Sequence, residues 1–221
     1  MNSQENEERL KQILAYIGEL NDIDDNIFEK TKKSAEFHGH LCPGLAIGII
    51  ASKIALRDAR RAEDEELVAI VENNACGVDA VQAITGCTFG KGNLIYNNYG
   101  KSVFTFYNRK SGSALRLSLK PTVFEREDRD GMRVLFEKVR NDSANEHELT
   151  EFWENQIRLA REILENGEEI FYKKEVDMEP PQKAQILESI PCEECGEPTM
   201  ATCIVKKDGR SVCIPCSRSL E

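Results

Sequence analysis

The sequence predicts a domain of helices packed against a β-sheet, followed by a small cysteine-rich module. Apolar spacing predicts the first part. Several stretches repeat apolar residues every three or four positions, as amphipathic helices do, while others are short apolar runs typical of strands. Composition predicts the second part, because five of the eight cysteines crowd the last thirty residues. With 221 residues, the chain is long enough to bury a self-sufficient core.

Three helices are predicted in the first sixty or so residues. Residues 5–20 repeat leucine and isoleucine at helical spacing, which is typical of an amphipathic helix. Aspartate is a good capping residue, so a second helix is predicted to begin at Asp24 or Asp25. A third helix is predicted from Pro43 to about Arg61, because proline suits the first helical position.

The middle of the chain indicates a sheet. Residues 67–71 form a continuous apolar run rich in β-branched residues, which is typical of a buried strand. Turn residues separate three further strand-like stretches, so we expect a meander in chain order. The predicted elements from here onwards are a helix at 78–85, strands at 94–96, 103–107 and 115–119, helices at 123–140 and 148–165, and a strand at 170–176.

The domain organisation follows from shifts in composition. Residues 1–178 are expected to form the core domain, and residues 179–190, which contain two consecutive prolines, are expected to be a linker. Residues 191–221 then form the second domain. Neither a signal peptide nor a membrane-spanning run is apparent, so we expect a cytoplasmic protein without a membrane partner.

The charge of the chain limits its partners. A net charge of −10 argues against extensive coating of nucleic acid by the main domain. The last nineteen residues differ, because Lys206, Lys207 and Arg210 make them locally basic. Binding of a polyanion by this end of the chain therefore stays open, although it is not the favoured interpretation.

Two cysteine pairs near the end of the chain form the strongest motif. Cys192 and Cys195 make one C-x2-C pair and Cys213 and Cys216 another, at a separation typical of four-cysteine zinc sites. Four thiolates make a closed structural site, and in so small a module the metal supplies most of the folding energy. Cys203 is interpreted as a core or free thiol, with exchange as a ligand left open.

A second candidate site lies just before the helix that begins at Pro43. His38, His40 and Cys42 are spaced by two, so an extended segment would point all three side chains to one side. Imidazole nitrogen and thiolate sulfur suit zinc or a related transition metal. Cys42 is also expected at the helix N-cap, where the backbone N–H groups favour a thiolate. The alternative is an ordinary hydrogen-bonded turn.

Other residues are open to two interpretations. Cys76 is expected at the start of the 78–85 helix, where a thiolate is favoured. Taken without the histidines, however, both Cys76 and Cys87 are interpreted as buried core cysteines. The Gly86–Asn93 loop holds three glycines and Lys91, which fits either an anion-binding loop or a plain turn. The third histidine, His147, is interpreted as solvated surface, and Trp153 as core.

Three of these motifs, in this order, resemble the FmdE family, which is named for the E subunit associated with molybdenum formylmethanofuran dehydrogenase in methanogens. They are Phe37-His-Gly-His-Leu-Cys-Pro-Gly44, Asn74-Ala-Cys-Gly-Val-Asp79 and Gly86-Cys-Thr-Phe-Gly-Lys-Gly-Asn93. The resemblance implies an α+β core, thioredoxin-like, with a mixed sheet flanked by helices and paired as a homodimer. The Cys192–Cys216 module resembles a treble-clef zinc finger of the DksA/TraR kind.

The resemblance also implies an active site built from the family's histidines and cysteines, which correspond here to His38, His40, Cys42, Cys76 and Cys87. We therefore expect a metal-binding protein with zinc in the finger and zinc or another divalent metal in the core, associated with formylmethanofuran dehydrogenase or related one-carbon and redox metabolism.

Whether the chain is an enzyme stays open. In an enzyme, an open metal position next to His40 and Cys42 would activate water or a substrate thiol, and Lys91 would neutralise an anionic group. In a redox variant, Cys42 would attack as a thiolate, with Cys76 or Cys87 as its resolving partner. The alternative is a regulatory protein whose finger binds protein or nucleic acid.

Overall fold

The computed structural model describes residues 25–57, 59, 61–125 and 129–219. The helix predicted over residues 5–20 lies outside the described residues. The chain divides into two compact units between Lys183 and Ala184. The finer division inferred from composition, with a linker at residues 179–190, stays a prediction.

Within the described residues, five α-helices belong to the first unit, and their ends follow from local sequence. Cys42 and Pro43 open the second helix as N-cap and first residue. Asn145 and Glu148 open the fifth with a reciprocal capping box. No described helix combines the length and apolar character that a bilayer crossing requires. The helices are α1 (Asp25–His38), α2 (Pro43–Ala55), α3 (Gly77–Thr85), α4 (Arg129–Arg140) and α5 (Glu146–Asn166).

A five-stranded mixed sheet forms the other layer of this unit. Its order is β2-β1-β3-β4-β5; β1 and β2 run parallel and the other pairs are antiparallel. The predicted α+β class is thus confirmed, with helices flanking a mixed sheet. The strands are β1 (Leu67–Val71), β2 (Leu94–Tyr96), β3 (Val103–Asn108), β4 (Ala114–Leu119) and β5 (Phe171–Glu175).

The predicted meander is wrong in one pairing. β1 lies between β2 and β3, so Ile70 is paired with Ile95 on one side and with Thr105 on the other. The helix between β1 and β2 explains this, because a strand–helix–strand crossover returns the chain parallel to its first strand. The apolar run of β1 then fills the more buried inner position of the sheet.

The core lies around α2, which packs against α3 and α5. Leu45 and Ile49 on α2, Ile84 on α3 and Ile163 on α5 are almost fully buried. Burying each such side chain contributes about 1.5–3 kcal/mol. This packing fixes the N-terminal ends of α2 and α3 next to each other, which matters for the candidate site.

The second unit consists of two antiparallel hairpins and a short helix. Asp208 and Gly209, both with positive φ, make the two-residue turn of the second hairpin. The buried residues of this unit are Cys192, Val212 and Cys213. The elements are β6 (Ser189–Pro191), β7 (Pro198–Met200), β8 (Ile204–Lys207), β9 (Arg210–Cys213) and α6 (Ile214–Ser219).

Candidate metal centre

Three side chains meet where α1 ends and α2 begins. One nitrogen each of His38 and His40 and the sulfur of Cys42 all lie within 4.8 Å of one another. The spacing of two does bring the residues together, but not through the expected extended segment. His38 ends α1, and Gly39, with φ of +91°, turns the chain directly after it. This turn needs glycine, because a residue with Cβ rarely adopts that φ.

Cys42 occupies the N-cap of α2, as predicted. Its sulfur accepts a hydrogen bond from the backbone N–H of Leu45 at 3.4 Å and lies 3.9 Å from Nε2 of His38. The side chain is buried, with 8% of its surface exposed. The thiol is therefore held in place by the helix end and directed at the histidines.

Asp79 fixes the orientation of His38. Its Oδ2 lies 2.6 Å from Nδ1 of His38, so the carboxylate accepts a hydrogen bond from that nitrogen. Nε2 is then left towards Cys42 with a lone pair available. A carboxylate bound to the second nitrogen is the usual support of a metal-binding histidine. Sequence reasoning missed this role, although Asp79 belongs to the second of the three motifs.

Aromatic packing encloses the other histidine. The ring of His40 lies 4.6 Å from that of His38 and 5.8 Å, edge-on, from that of Trp153, measured between centroids. Burial, and then the neighbouring His38, lower the pKa of His40. A neutral imidazole is the form that binds metals. Trp153, which the sequence placed in the core, thus borders the cluster.

Cys76 lies beside the cluster at the N-cap of α3. Gly44 permits this approach because it has no side chain. A Cβ at this position would lie only 3.1 Å from the Cβ of Cys76 and 3.8 Å from the sulfur of Cys42. The hydrogen bond between the two thiols lowers the pKa of Cys76 to about 6 and raises that of Cys42. The neighbouring thiol therefore opposes the thiolate preference expected for Cys42 at its helix N-cap, and the two cysteines titrate as a pair.

The structure does not bring Cys87 to the cluster. Its side chain is fully buried, and the thiol donates a hydrogen bond to the carbonyl of Leu67 at 3.3 Å. Burial raises the pKa of Cys87 to about 11. It follows α3, whereas Cys76 precedes that helix, so the two thiols lie at opposite ends of it. Cys87 is a core thiol, which was the alternative interpretation.

Lys91 does not face the cluster either. Its Nζ donates to the carbonyl of Ala62 at 3.1 Å. The loop around it is fixed by Asn93, which is fully buried, accepts from the N–H of Thr88 at 2.9 Å and donates to the carbonyl of Leu67 at 3.0 Å. This arrangement favours the plain-turn interpretation over an anion-binding loop.

The four paired cysteines of the second unit also come together. The sulfurs of Cys192, Cys195, Cys213 and Cys216 all lie within 4.8 Å of one another, so this group could hold a metal ion. Backbone N–H groups support Cys192: its sulfur accepts from Cys213 at 3.2 Å and from Glu194 at 3.4 Å. Backbone hydrogen bonds, that from Cys195 first, lower its pKa to about 6. Cys203 is half-buried and does not belong to this group of four.

Comparison with known proteins identifies relatives of this chain. A protein of Archaeoglobus fulgidus named "Probable S-adenosyl-L-methionine-binding protein" is 37% identical over 197 residues, which cover 85% of this chain and 52% of that protein. The chain thus spans about half the length of this curated relative.

A solved structure is also similar. It is the crystal structure, at 1.90 Å, of a protein from Syntrophus aciditrophicus that is like FmdE, the E subunit of a tungsten formylmethanofuran dehydrogenase. It matches with a TM-score of 0.58 and 26% sequence identity, covering 87% of this chain and 92% of that one. The model of the family described as "FmdE, Molybdenum formylmethanofuran dehydrogenase operon" matches residues 37–173, which include the three motifs and the whole core cluster. The chain belongs to the FmdE family.

Proposed function

We propose that this chain is a metal-binding protein with two metal sites of different character. One observation is the main support for the core site. Three donor atoms of His38, His40 and Cys42 lie within 4.8 Å of one another, and Asp79 is hydrogen-bonded to the other ring nitrogen of His38. A carboxylate bound to the second nitrogen of a histidine is typical of metal sites and is not expected in a chance group of polar side chains. The donor set of imidazole and thiolate suits zinc or a related divalent metal.

The side chains divide the work at the core site. His38, His40 and Cys42 would hold the metal, and Cys76 lies beside them outside this group. Asp79 binds Nδ1 of His38 and leaves Nε2 facing Cys42, and the ring of Trp153 packs edge-on against that of His40. A bound divalent metal with an open position would supply Lewis acidity towards water or a substrate thiol. His40 and Cys42 remain our proposed catalytic residues.

The second site is proposed to be structural. Its four thiolates leave no open position around a tetrahedral ion, and zinc is the metal that such sites usually hold. The first cysteine pair follows β6, while the second spans the end of β9 and the start of α6. A cysteine pair on a hairpin facing a pair at a hairpin–helix junction supports assignment as a treble-clef zinc finger.

The wider role is inferred from family membership. We place the chain in the cytoplasm, as a homodimer associated with formylmethanofuran dehydrogenase or with related one-carbon and redox metabolism. In the redox variant of this proposal, Cys76 replaces Cys87 as the resolving partner of Cys42, because only Cys76 lies next to it.

The regulatory alternative depends on the finger, and the finger favours a protein partner over nucleic acid. Two of its basic side chains are engaged internally: Lys206 donates to the hydroxyl of Ser211 at 2.7 Å, and Arg210 forms an ion pair with Glu194 at 2.6 Å. Phosphate contacts would have to compete with these bonds.

Metal analysis of the full chain under reducing conditions tests the proposal. We expect one metal ion in each unit. His40→Ala and Cys42→Ser should each remove the core ion and keep the other, whereas Cys195→Ser should do the reverse. His147→Ala is the matched control, because the third histidine is exposed and lies in neither group. Unchanged metal content in both core variants would contradict the core site.

A further inference from the structure

A cleft opens next to the core cluster. It has a volume of about 480 Å³ and lies at the carboxyl ends of the parallel strands β1 and β2, beside the first turns of α3. This volume is within the range of small-molecule sites. His38, Cys76 and Asp79 belong both to its lining and to the surroundings of the candidate metal centre. A molecule in the cleft would therefore lie against the metal centre.

The cleft presents aromatic and aliphatic surface. Val71 and Leu94 are buried parts of its lining, whereas Phe89 and Tyr96 are 75% and 39% exposed. Two exposed aromatic rings at one opening provide faces on which a flat ring can stack. Such stacking is a common way of binding heteroaromatic rings, and it tolerates different ring types.

The backbone of Phe89 is held in position before any ligand arrives. Its N–H donates to Oε1 of Gln82 at 3.4 Å, and its carbonyl accepts from Gly92 at 3.1 Å. The buried Asn93 ties the same loop to the strand β1. A loop whose backbone is already ordered loses little conformational freedom on binding, which favours affinity.

The charges of the cleft argue against a phosphorylated or carboxylated ligand. Among the described residues that line it, none is a lysine or arginine. Lys91, the nearby cation expected from the sequence, donates to Ala62 instead. The positive N-terminal end of α3 is already matched by the carboxylate of Asp79 in its first turn. An anionic group at the Phe89 side of the cleft, at the other end of α3 from Cys76 and the candidate metal, would therefore bury charge without a partner, which is costly.

We propose that this cleft binds an uncharged, planar heteroaromatic ring. The ring would stack on Phe89 and Tyr96, meet the side-chain amides of Asn74 and Gln82 at its polar edge, and extend towards Cys76. The inference deepens the proposed function and rests on it, since the ring would be the substrate or cofactor that works next to the metal.

Ring compounds that differ by one phosphate test this directly. Riboflavin and adenosine are the neutral probes, and riboflavin 5′-phosphate and adenosine 5′-phosphate are their charged partners. Binding to the full chain is followed by flavin fluorescence and by ligand-observed NMR. At least one neutral ring should bind, and its phosphate ester should bind more weakly. Phe89→Ala should weaken binding by about tenfold, the usual value of one stacking contact.

Tyr172→Ala is the matched control. Tyr172 is an exposed aromatic residue on β5, at the edge of the sheet opposite β2, so its loss should leave ring binding unchanged. The inference is overturned if neither neutral ring binds, if the phosphate esters bind at least as well, or if Phe89→Ala has no effect.

Metal content is measured on the same samples, so that the two proposals can fail separately. If the purified chain binds the ring but holds no metal in the core, the metal-site proposal is refuted and the ring-binding proposal stands. If the core holds metal but no ring binds, the ring-binding proposal is refuted and the metal-site proposal stands.

Discussion

At the scale of single residues, Asp79 decides which nitrogen of His38 can reach a metal. A neutral imidazole carries its proton on either nitrogen, and only the unprotonated one is a ligand. The carboxylate 2.6 Å from Nδ1 holds the proton there and leaves Nε2 towards Cys42. The negative charge also makes the imidazole a stronger donor to a cation.

Asp79→Asn removes that charge and keeps the shape. We expect the affinity of the core site for zinc to fall by about 10- to 100-fold, the usual effect of losing such a support. Competition with a chromophoric chelator, which resolves the core site from the four-cysteine site, measures this. The four-cysteine site serves as the internal reference and should be unaffected.

Asp177→Asn provides the external control, because Asp177 is exposed and belongs to neither candidate metal group. Equal zinc affinity in Asp79→Asn and the parent chain would show that the carboxylate does not support a metal ligand.

The residue scale also shows what the sequence could predict about the site. The spacing of His38, His40 and Cys42 was enough to predict that these three side chains come together, because neighbours in sequence remain neighbours in space. Asp79 and Trp153 were missed because their contacts depend on how helices pack. The separation of Cys76 from Cys87 could have been predicted, since a nine-residue helix between them spans roughly 14 Å.

At the scale of elements, the crossing of α2 and α3 positions Cys42 and Cys76. Both residues are N-caps, so the two thiols meet only if the first turns of the helices approach closely. Glycines make this possible: a Cβ on Gly48 would overlap the carbonyl oxygen of Gly77, and one on Gly77 would lie 2.9 Å from the carbonyl oxygen of Gly44. The helices pack backbone against backbone.

Gly48→Ala should therefore destabilise the protein although alanine is the better helix former. The gain in helix propensity is about 1 kcal/mol, but forcing the helices apart costs more. Overpacking typically costs about 1–3 kcal/mol, so we expect a net loss of up to about 2 kcal/mol in the free energy of unfolding, measured by urea denaturation, together with weaker metal binding at the core site.

Gly90→Ala is the matched control for this change. A Cβ at Gly90 would meet nothing within 4 Å, so the free energy of unfolding should stay within about 0.5 kcal/mol of the parent value. If Gly48→Ala behaved like Gly90→Ala, the close approach of α2 and α3 would be contradicted.

The order of elements was easier to predict than their pairing. Each strand has a local apolar pattern, so the strands and most helix limits followed from the sequence. The strand that pairs with β2 could not be predicted in this way, because no local pattern distinguishes pairing with β3 from pairing with β1. The deciding factor is α3, whose packing against α2 carries the chain back over the sheet and makes β2 parallel to β1.

At the scale of the whole molecule, the two units are stabilised by different means. The first has an extensive apolar core, with α2 almost entirely buried. In the second, the buried cluster consists of Cys192, Val212 and Cys213, and two of these are candidate ligands. So small an apolar cluster cannot offset the conformational entropy of about thirty ordered residues, whereas metal binding can.

Metal removal should therefore unfold the second unit alone. After a strong chelator is added to the full chain under reducing conditions, hydrogen exchange should become fast in β6 to β9, while β1, β3 and β4 keep their protection. Cys195→Ser should reproduce the chelator's effect. Cys203→Ser, which changes the fifth cysteine of the same unit, should not, because that thiol lies outside the group of four. Protection of β6 to β9 that survives complete loss of metal would mean that side-chain packing alone folds the unit, and the four cysteines would then lose their structural role.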